Sequence, residues 1–173
     1  MDFYELAKGR YSCRAFDQTK EVEKEKLDKI LEVGRIAPTA KNEQEQRILV
    51  LSKKEDLEKL SQCTTFGWGA PVMLVICFDK ETSYKQKYSK YDFGYVDTAI
   101  VTTHMILEAQ NLGLGTTWIG AFDPYKTKEL FNIPDNYEVV SLLPIGYPAE
   151  DAHPSMLHYE VRPKEETIFY DKF

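Results

Sequence analysis

The chain has 173 residues, 43% apolar and 29% charged, with 22 Lys+Arg against 28 Asp+Glu and a formal net charge of −6. That length suits a single domain with a sizeable core, and the acidic balance argues against a nucleic-acid partner, which calls for a basic stripe. Three cysteines without a C-x-x-C spacing argue against a disulfide framework or a structural zinc site and point to a reducing cytoplasm.

The opening Met-Asp-Phe-Tyr-Glu lacks a basic n-region and an apolar h-region, so no secretory signal is expected. No apolar run reaches membrane-spanning length, so no membrane partner is expected either. Phe3, Leu6 and Ala7 fall at i, i+3, i+4 and predict a short helix ending near Gly9. Leu27, Ile30, Leu31 and Gly34 form the stripe of a helix over 23–36, stopped by Pro38. The polar segment 37–44 reads as a surface loop. Ile48 to Leu51 is a short strand. Ser52-Lys53-Lys54-Glu55 matches a capping box and predicts a helix over 53–62, with Leu57 and Leu60 inward.

Cys63 to Gly69 is a loop carrying Phe66 and Trp68. Val72 to Phe78 is continuously apolar and predicts a strand buried on both faces. The Tyr-rich, charged stretch 79–92 reads as a mobile excursion. Residues 94–112 predict a helix apolar nearly all round, buried centrally or in a subunit interface, with Asp97 and His104 on it and Gly113 as its C′ residue. Gly115 to Gly120 is a strand running into a loop. Asp123-Pro124 supplies an N-cap and N1 proline for a helix at 125–132. Val139 to Ile145 is the last strand. The final 25 residues lack periodicity and read as an arm that needs another surface. Helices mixed with strands that do not strictly alternate point to an α+β domain spanning 1–173.

Absent motifs narrow the chemistry. There is no G-x-S-x-G, no H-E-x-x-H and no P-loop. Gly113-Leu114-Gly115 lacks the third glycine of a dinucleotide fingerprint and precedes a strand. His104, His153 and His158 have no metal-ligand spacing, so no metal is expected. Cys13 lies between two arginines, which would activate its thiol if it were exposed; a thiol packed inward is the other reading. Arg10-Tyr11-Ser12-Cys13-Arg14 places two guanidiniums and a hydroxyl close together, donors suited to a phosphate. A solvated, salt-bridged surface pair remains the alternative reading of that stretch. Asn42 and Gln44 suit an uncharged heteroaromatic ring. A phosphate at one end and a polar ring at the other describe a nucleotide-like cofactor. With no obvious protein nucleophile or acid/base pair, that cofactor would carry the chemistry.

Together these segments resemble the nitroreductase family of flavin enzymes. Arg10-Tyr11-Ser12-Cys13-Arg14-Ala15-Phe16 is similar to its N-terminal Arg-Arg-Ser-x-Arg-x-Phe motif. Ala37 to Gln44 is similar to its Ala-Pro-Ser-x-x-Asn-x-Gln loop, and Gly113 to Gly120 to the segment that passes the isoalloxazine. Ile145-Gly146-Tyr147-Pro148 and Arg162-Pro163 resemble two later marks, and the likeness runs from about residue 3 to 165. The chain departs from the pattern at Tyr11, in place of the second arginine, and at Glu45 and Gln46, where many members have Pro and an aromatic. A carboxylate at Glu45 would disfavour anionic substrates if it faced the pocket.

The resemblance implies an α+β nitroreductase fold, a central mixed sheet flanked by helices. It implies a homodimer with two FMN sites, its C-terminal arm (about 150–173) exchanged onto the partner. Arg10, Tyr11, Ser12, Arg14 and Arg162 would meet the phosphate or ribityl chain, and Arg10 or Arg14 the flavin N1 side. Pro38, Thr39, Ala40, Asn42 and Gln44 would reach the ring from the other subunit, and Trp118, Ile119, Gly120 and Ala121 would pass it, with the Gly120 N–H facing N5. Phe66, Trp68, Tyr88 and Tyr91 could wall a substrate pocket or simply pack. The implied activity carries electrons from NAD(P)H through FMN to a nitroaromatic, quinone or related small acceptor in ping-pong order. An ene-reductase or dehalogenase of the same fold, or a non-catalytic FMN-binding protein, are the alternatives.

Overall fold

Residues 2–173 are described by the computed structural model. The amphipathic patterns become α1 (Phe3–Gly9) and α2 (Lys24–Arg35), followed by β1 (Gln46–Leu51) and α3 (Lys54–Leu60). The continuous apolar run becomes β2 (Val72–Asp79), and the long apolar stretch α4 (Gly94–Asn111). β3 (Gly115–Thr116), α5 (Pro124–Phe131) and β4 (Tyr137–Gly146) complete the core elements. Short 3-10 turns mark Ala40–Asn42, Met156–Tyr159 and Lys164–Glu166.

Among the described residues the sheet has four strands in the order β1-β2-β4-β3. All three strand pairs are antiparallel, where a mixed sheet was expected. The parallel component is one isolated bridge, Ser12 to Thr116. The reason is connectivity: β2 and β4 are neighbours whose intervening helices cross one face and return on the other, so β4 runs back against β2.

β2 is buried at every position because its two faces serve two cores. Val72, Leu74 and Ile76 meet Ile30 of α2 and Val101, Met105 and Ala109 of α4. Met73, Val75 and Cys77 meet Leu60 of α3, Ile119 and Leu142, with Leu130 and Phe131 of α5 at the edge. Strict alternation along one strand therefore makes a three-layer domain. The register of β4 shifts opposite Ile76/Cys77. A bulge inverts side-chain parity, which is how Val139 joins the α3/α5 core instead of facing α4.

α4 lies close enough to β2 that only glycine fits at its start. A Cβ on Gly94 would stand 2.2 Å from the Phe78 ring, and that ring is fully buried. Gly94→Ala is therefore expected to lower stability by about 1–3 kcal/mol through overpacking, read as a shift in the denaturation midpoint.

Two local expectations fail. Ser52 does not cap α3; Lys53 holds the N-cap position with no side-chain bond, and its carbonyl accepts from the N–H groups of Asp56 and Leu57 at 3.0 Å. The extended chain leaving β1 delays the helix by one residue, which moves Glu55 out of capping-box position. Residues 79–92 are not a loose excursion. Asp79 accepts from the Glu81 and Ser83 amides at 3.0 Å each. Lys85 bridges Asp92 in backbone and ion pair, the latter at 2.7 Å. Among the described residues, no helix is long and apolar enough to cross a membrane.

Candidate functional site

The segment after α1 is stitched to the strand beside it. The Cys13 N–H donates to the Thr116 carbonyl at 2.9 Å, and the Thr117 hydroxyl donates to the Cys13 carbonyl. Gly115 permits this approach, since a Cβ there would meet Cys13 at 2.8 Å. With Cys13 turned in, its neighbours Ser12 and Arg14 point the other way. Arg10 and Ser12 line a cavity of about 250 Å³ with Thr116, Thr117 and Trp118, closed below by Thr103, Ile106 and Leu107 of α4.

The electrostatics of this corner are unusual for an acidic chain. Among the described residues Arg10 has no ion pair and no side-chain hydrogen bond, and Arg14 only leans on the Ser12 carbonyl at 3.5 Å. The salt-bridged part of the alternative reading does not form among the described residues, while Arg14 stays exposed to solvent. Two cations without carboxylates, beside a free serine hydroxyl, suit a dianionic phosphate group.

Cys13 is fully buried. Burial pushes its thiol up, and its Sγ–H donates to the Ala15 carbonyl at 3.2 Å. The activation that its flanking arginines suggested does not arise, because they turn away from it. Cys63 and Cys77 are buried as well, and burial drives Cys77 up to about 12. All three thiols are expected to resist a thiol reagent in the native protein and to react together on unfolding, as a colorimetric thiol titration would read.

Several residues named from sequence sit elsewhere. Tyr11 packs against the Cys13, Phe16 and Ala70 cluster, not into the cavity. Ile119 is a core residue at 3% exposure, and its N–H and carbonyl are both taken by Leu142, at 2.9 and 3.0 Å. Gly120 follows it with its N–H unclaimed among the described residues. A Cβ at Gly120 would meet nothing within 4 Å. Ala121 is exposed and accepts from the Thr64 hydroxyl at 2.9 Å. Arg162 is exposed on the arm and pairs with Glu166 at 3.1 Å; this chain does not bring it to Arg10. Trp68 stacks loosely on Phe66 at 5.5 Å between ring centroids and lines a wider surface cleft with Pro71 and Met73. Tyr88 is exposed, with the Lys87 ammonium 5.7 Å from its ring centroid, and Tyr91 sits edge-on to Phe93.

The 38–44 loop is a second, separate part. Lys41, Asn42 and Gln44 all have left-handed backbones, with φ of 54°, 58° and 51°, which costs non-glycine residues free energy and persists only where surroundings over-determine it. Here the Thr39 hydroxyl accepts from the Gln44 N–H at 3.0 Å, and Asp97 of α4 accepts from the Ala40 N–H at 3.0 Å. Pro38, Asn42 and Gln44 are exposed. The loop attaches to α4 at Asp97, while the cavity rests on Thr103 to Leu107. At 1.5 Å per residue the two lie roughly 9–15 Å apart along the helix.

Sequence reasoning missed Thr103, Ile106 and Leu107. Their i, i+3, i+4 spacing was visible, but it lay inside a helix apolar on every side, where no stripe stands out. His104, on the same turn, is satisfied by the Ile100 carbonyl at 2.8 Å.

The chain matches the model of the nitroreductase family over residues 7–64 and 62–147. It superposes on the crystal structure of a nitroreductase family protein from Clostridium difficile 630 with a TM-score of 0.93, at 40% identity and full coverage of both chains. An FMN-dependent nitroreductase from Clostridium difficile R20291 aligns with a TM-score of 0.81 at 30% identity, over 98% of this chain and 99% of that one. A candidate NADH dehydrogenase/NAD(P)H nitroreductase from Archaeoglobus fulgidus is 33% identical over 149 residues, 82% of this chain and 83% of its own length. The fold, the cavity at Arg10 and these matches agree, and the chain belongs to the nitroreductase family.

Proposed function

We propose that this chain is an FMN-dependent NAD(P)H oxidoreductase that works as a homodimer on a nitroaromatic, quinone or related small acceptor. The observation that carries the reading is Arg10, unpaired among the described residues, beside Ser12 on a cavity floored by α4, with the exposed Arg14 next along the chain. Phosphate is the ligand chemistry those groups fit, and Gly120, with an open side and a free N–H, lies in the same turn as Trp118. When bound, FMN would supply the two-electron redox couple between NAD(P)H and the acceptor that a ping-pong order needs.

The chain's own residues bind and orient. Arg10, Arg14 and Ser12 hold the phosphate end. The Gly120 N–H would donate to the ring at N5, and Trp118, 37% exposed, would shield one edge of it from water. Of the arginines that would hold the phosphate end, Arg10 or Arg14 would also supply a positive field on the N1 side of the ring. Asn42 and Gln44 donate and accept at the polar edge of the ring, reaching it from the partner subunit. The arm over 150–173 is exchanged: Met156, Leu157, Tyr159 and Val161 are each at least 67% exposed, too much apolar surface to leave in water. Arg162 travels with the arm to the partner's phosphate. The 33% identity over 149 residues with the Archaeoglobus fulgidus relative supports the electron donor, and a cytoplasmic setting suits it.

The test is a flavin spectrum of the purified protein followed by anaerobic titration with NADH and NADPH. Yellow absorbance bleached by one equivalent, and restored by a quinone, is expected. Bound FMN that neither nucleotide bleaches would leave a binding protein only. A protein that takes up no FMN would overturn the reading.

A further inference from the structure

Glu45 closes the 38–44 loop and is wholly buried within the single chain, at 0% exposure. A partner subunit therefore cannot reach it. Both of its carboxylate oxygens are buried without a hydrogen-bond partner. Asp97, 3% exposed, lies within hydrogen-bonding reach of it. Two ionised carboxylates have no donor to share, and that is why the Glu45 oxygens are orphaned; a single proton between them supplies one.

The surroundings say which residue holds it. Asp97 sits in the first turn of α4, where the helix dipole favours negative charge, and it already accepts from the Ala40 N–H. Glu45 faces Asp97 from α4 and Glu43 from its own loop, both acidic. At the end of β2 the Asp79 N–H donates to the Glu45 carbonyl at 2.9 Å, while the Asp79 carboxylate is engaged by Asn136 and Arg47. Arg47 otherwise donates to the Gln44 and Gln46 carbonyls, and Lys41 lies over the Tyr84 ring at 4.7 Å. No cation answers Glu45 among the described residues.

We propose that Glu45 and Asp97 are a proton-sharing positioning pair, in which protonated Glu45 donates to ionised Asp97 and so clamps the 38–44 loop in the shape that meets the flavin ring. This rests on the reading that the loop contacts FMN. Burial first, and Asp97 second, push Glu45 up to about 7. Above that pH two buried carboxylates repel across the anchor of Ala40, and the left-handed turn at Lys41, Asn42 and Gln44 loses its support. Apparent affinity then scales with the competent fraction, so FMN binding is expected to weaken about tenfold per pH unit above neutrality. The carboxylate does not face the pocket, so it is not the substrate-charge filter that its place in the sequence suggested.

The test compares wild type with Glu45→Gln, whose amide donates at every pH, from about pH 6 to about pH 9. Above about pH 7 wild-type FMN affinity should fall while that of the variant stays flat. Asp97→Asn, a second variant, should move the break to lower pH, because its amide donates to the ionised Glu45. Two readouts need no flavin. An infrared difference spectrum, wild type minus Glu45→Gln, should show a protonated-carboxyl carbonyl stretch that vanishes as pH rises. Protection of the Ala40 amide against hydrogen exchange, corrected for intrinsic rate, should fall in step. An absent carboxyl band, or a Glu45→Gln profile parallel to wild type, overturns the pair. If FMN binds neither protein while band and Ala40 protection behave as expected, the pair stands and the flavin contact falls.

Discussion

Arg10→Ala is expected to weaken FMN binding by roughly 10- to 150-fold while leaving folding untouched. The magnitude follows from one charge-assisted hydrogen bond to a phosphate, worth about 1.5–3 kcal/mol. The second half follows from the structure: the Arg10 side chain makes no hydrogen bond or ion pair among the described residues, and the residue's bond to the Leu6 carbonyl at 3.2 Å is made by its backbone N–H and survives truncation. Most cationic side chains at a ligand site hold both ligand and protein, and their truncation confounds the two. Here a fluorescence titration with FMN should move and the thermal midpoint of the flavin-free protein should not. Arg14→Ala should follow with a smaller effect, since Arg14 is the more exposed and screened of the two. Unchanged FMN affinity in Arg10→Ala would place the phosphate elsewhere.

The architecture was legible wherever hydrophobic spacing decided it. The stripe at Leu27, Ile30, Leu31 and Gly34 gave α2, and the continuous run at Val72 gave a strand with two buried faces. Sheet direction was not legible, because pairing depends on which face the connections cross and not on the strand residues themselves. Nor was the capping box, since Ser52-x-x-Glu55 carries no information about how long the chain stays extended after β1. For the site, Arg10 and Ser12 line the cavity because the inward Cys13 fixes which way its neighbours point. At Tyr11 and Ile119 the same local alternation turns the side chain into the core. Glu45 is the sharpest case. A charged residue in a polar loop reads as solvated, and only tertiary packing against α4 reveals it as the most buried acid of the chain.

That burial predicts how folding stability varies with pH. Glu45 titrates at about 7 in the folded protein against an ordinary 4.5. Between those values the folded state holds a proton that the unfolded chain has released, so stability falls as pH rises and levels off above about 7. The total is at most roughly 3.5 kcal/mol, at about 1.4 kcal/mol per tenfold of proton affinity. Asp17, lowered by its bond from Thr19, and Glu32, lowered by Arg35, act in the opposite sense. Their contributions are lost as pH falls through their folded values. The flavin-free protein should therefore be most stable in mildly acid solution, below the neutral optimum common to proteins with well-paired carboxylates. Urea denaturation at fixed protomer concentration, repeated across pH, reads this directly. Glu45→Gln should abolish the decline between about pH 5 and about pH 7 while keeping the acid limb. FMN binding reads the same proton in the adjoining window above neutrality. A stability decline that persists in Glu45→Gln would assign it to another group and take the buried acid pair with it.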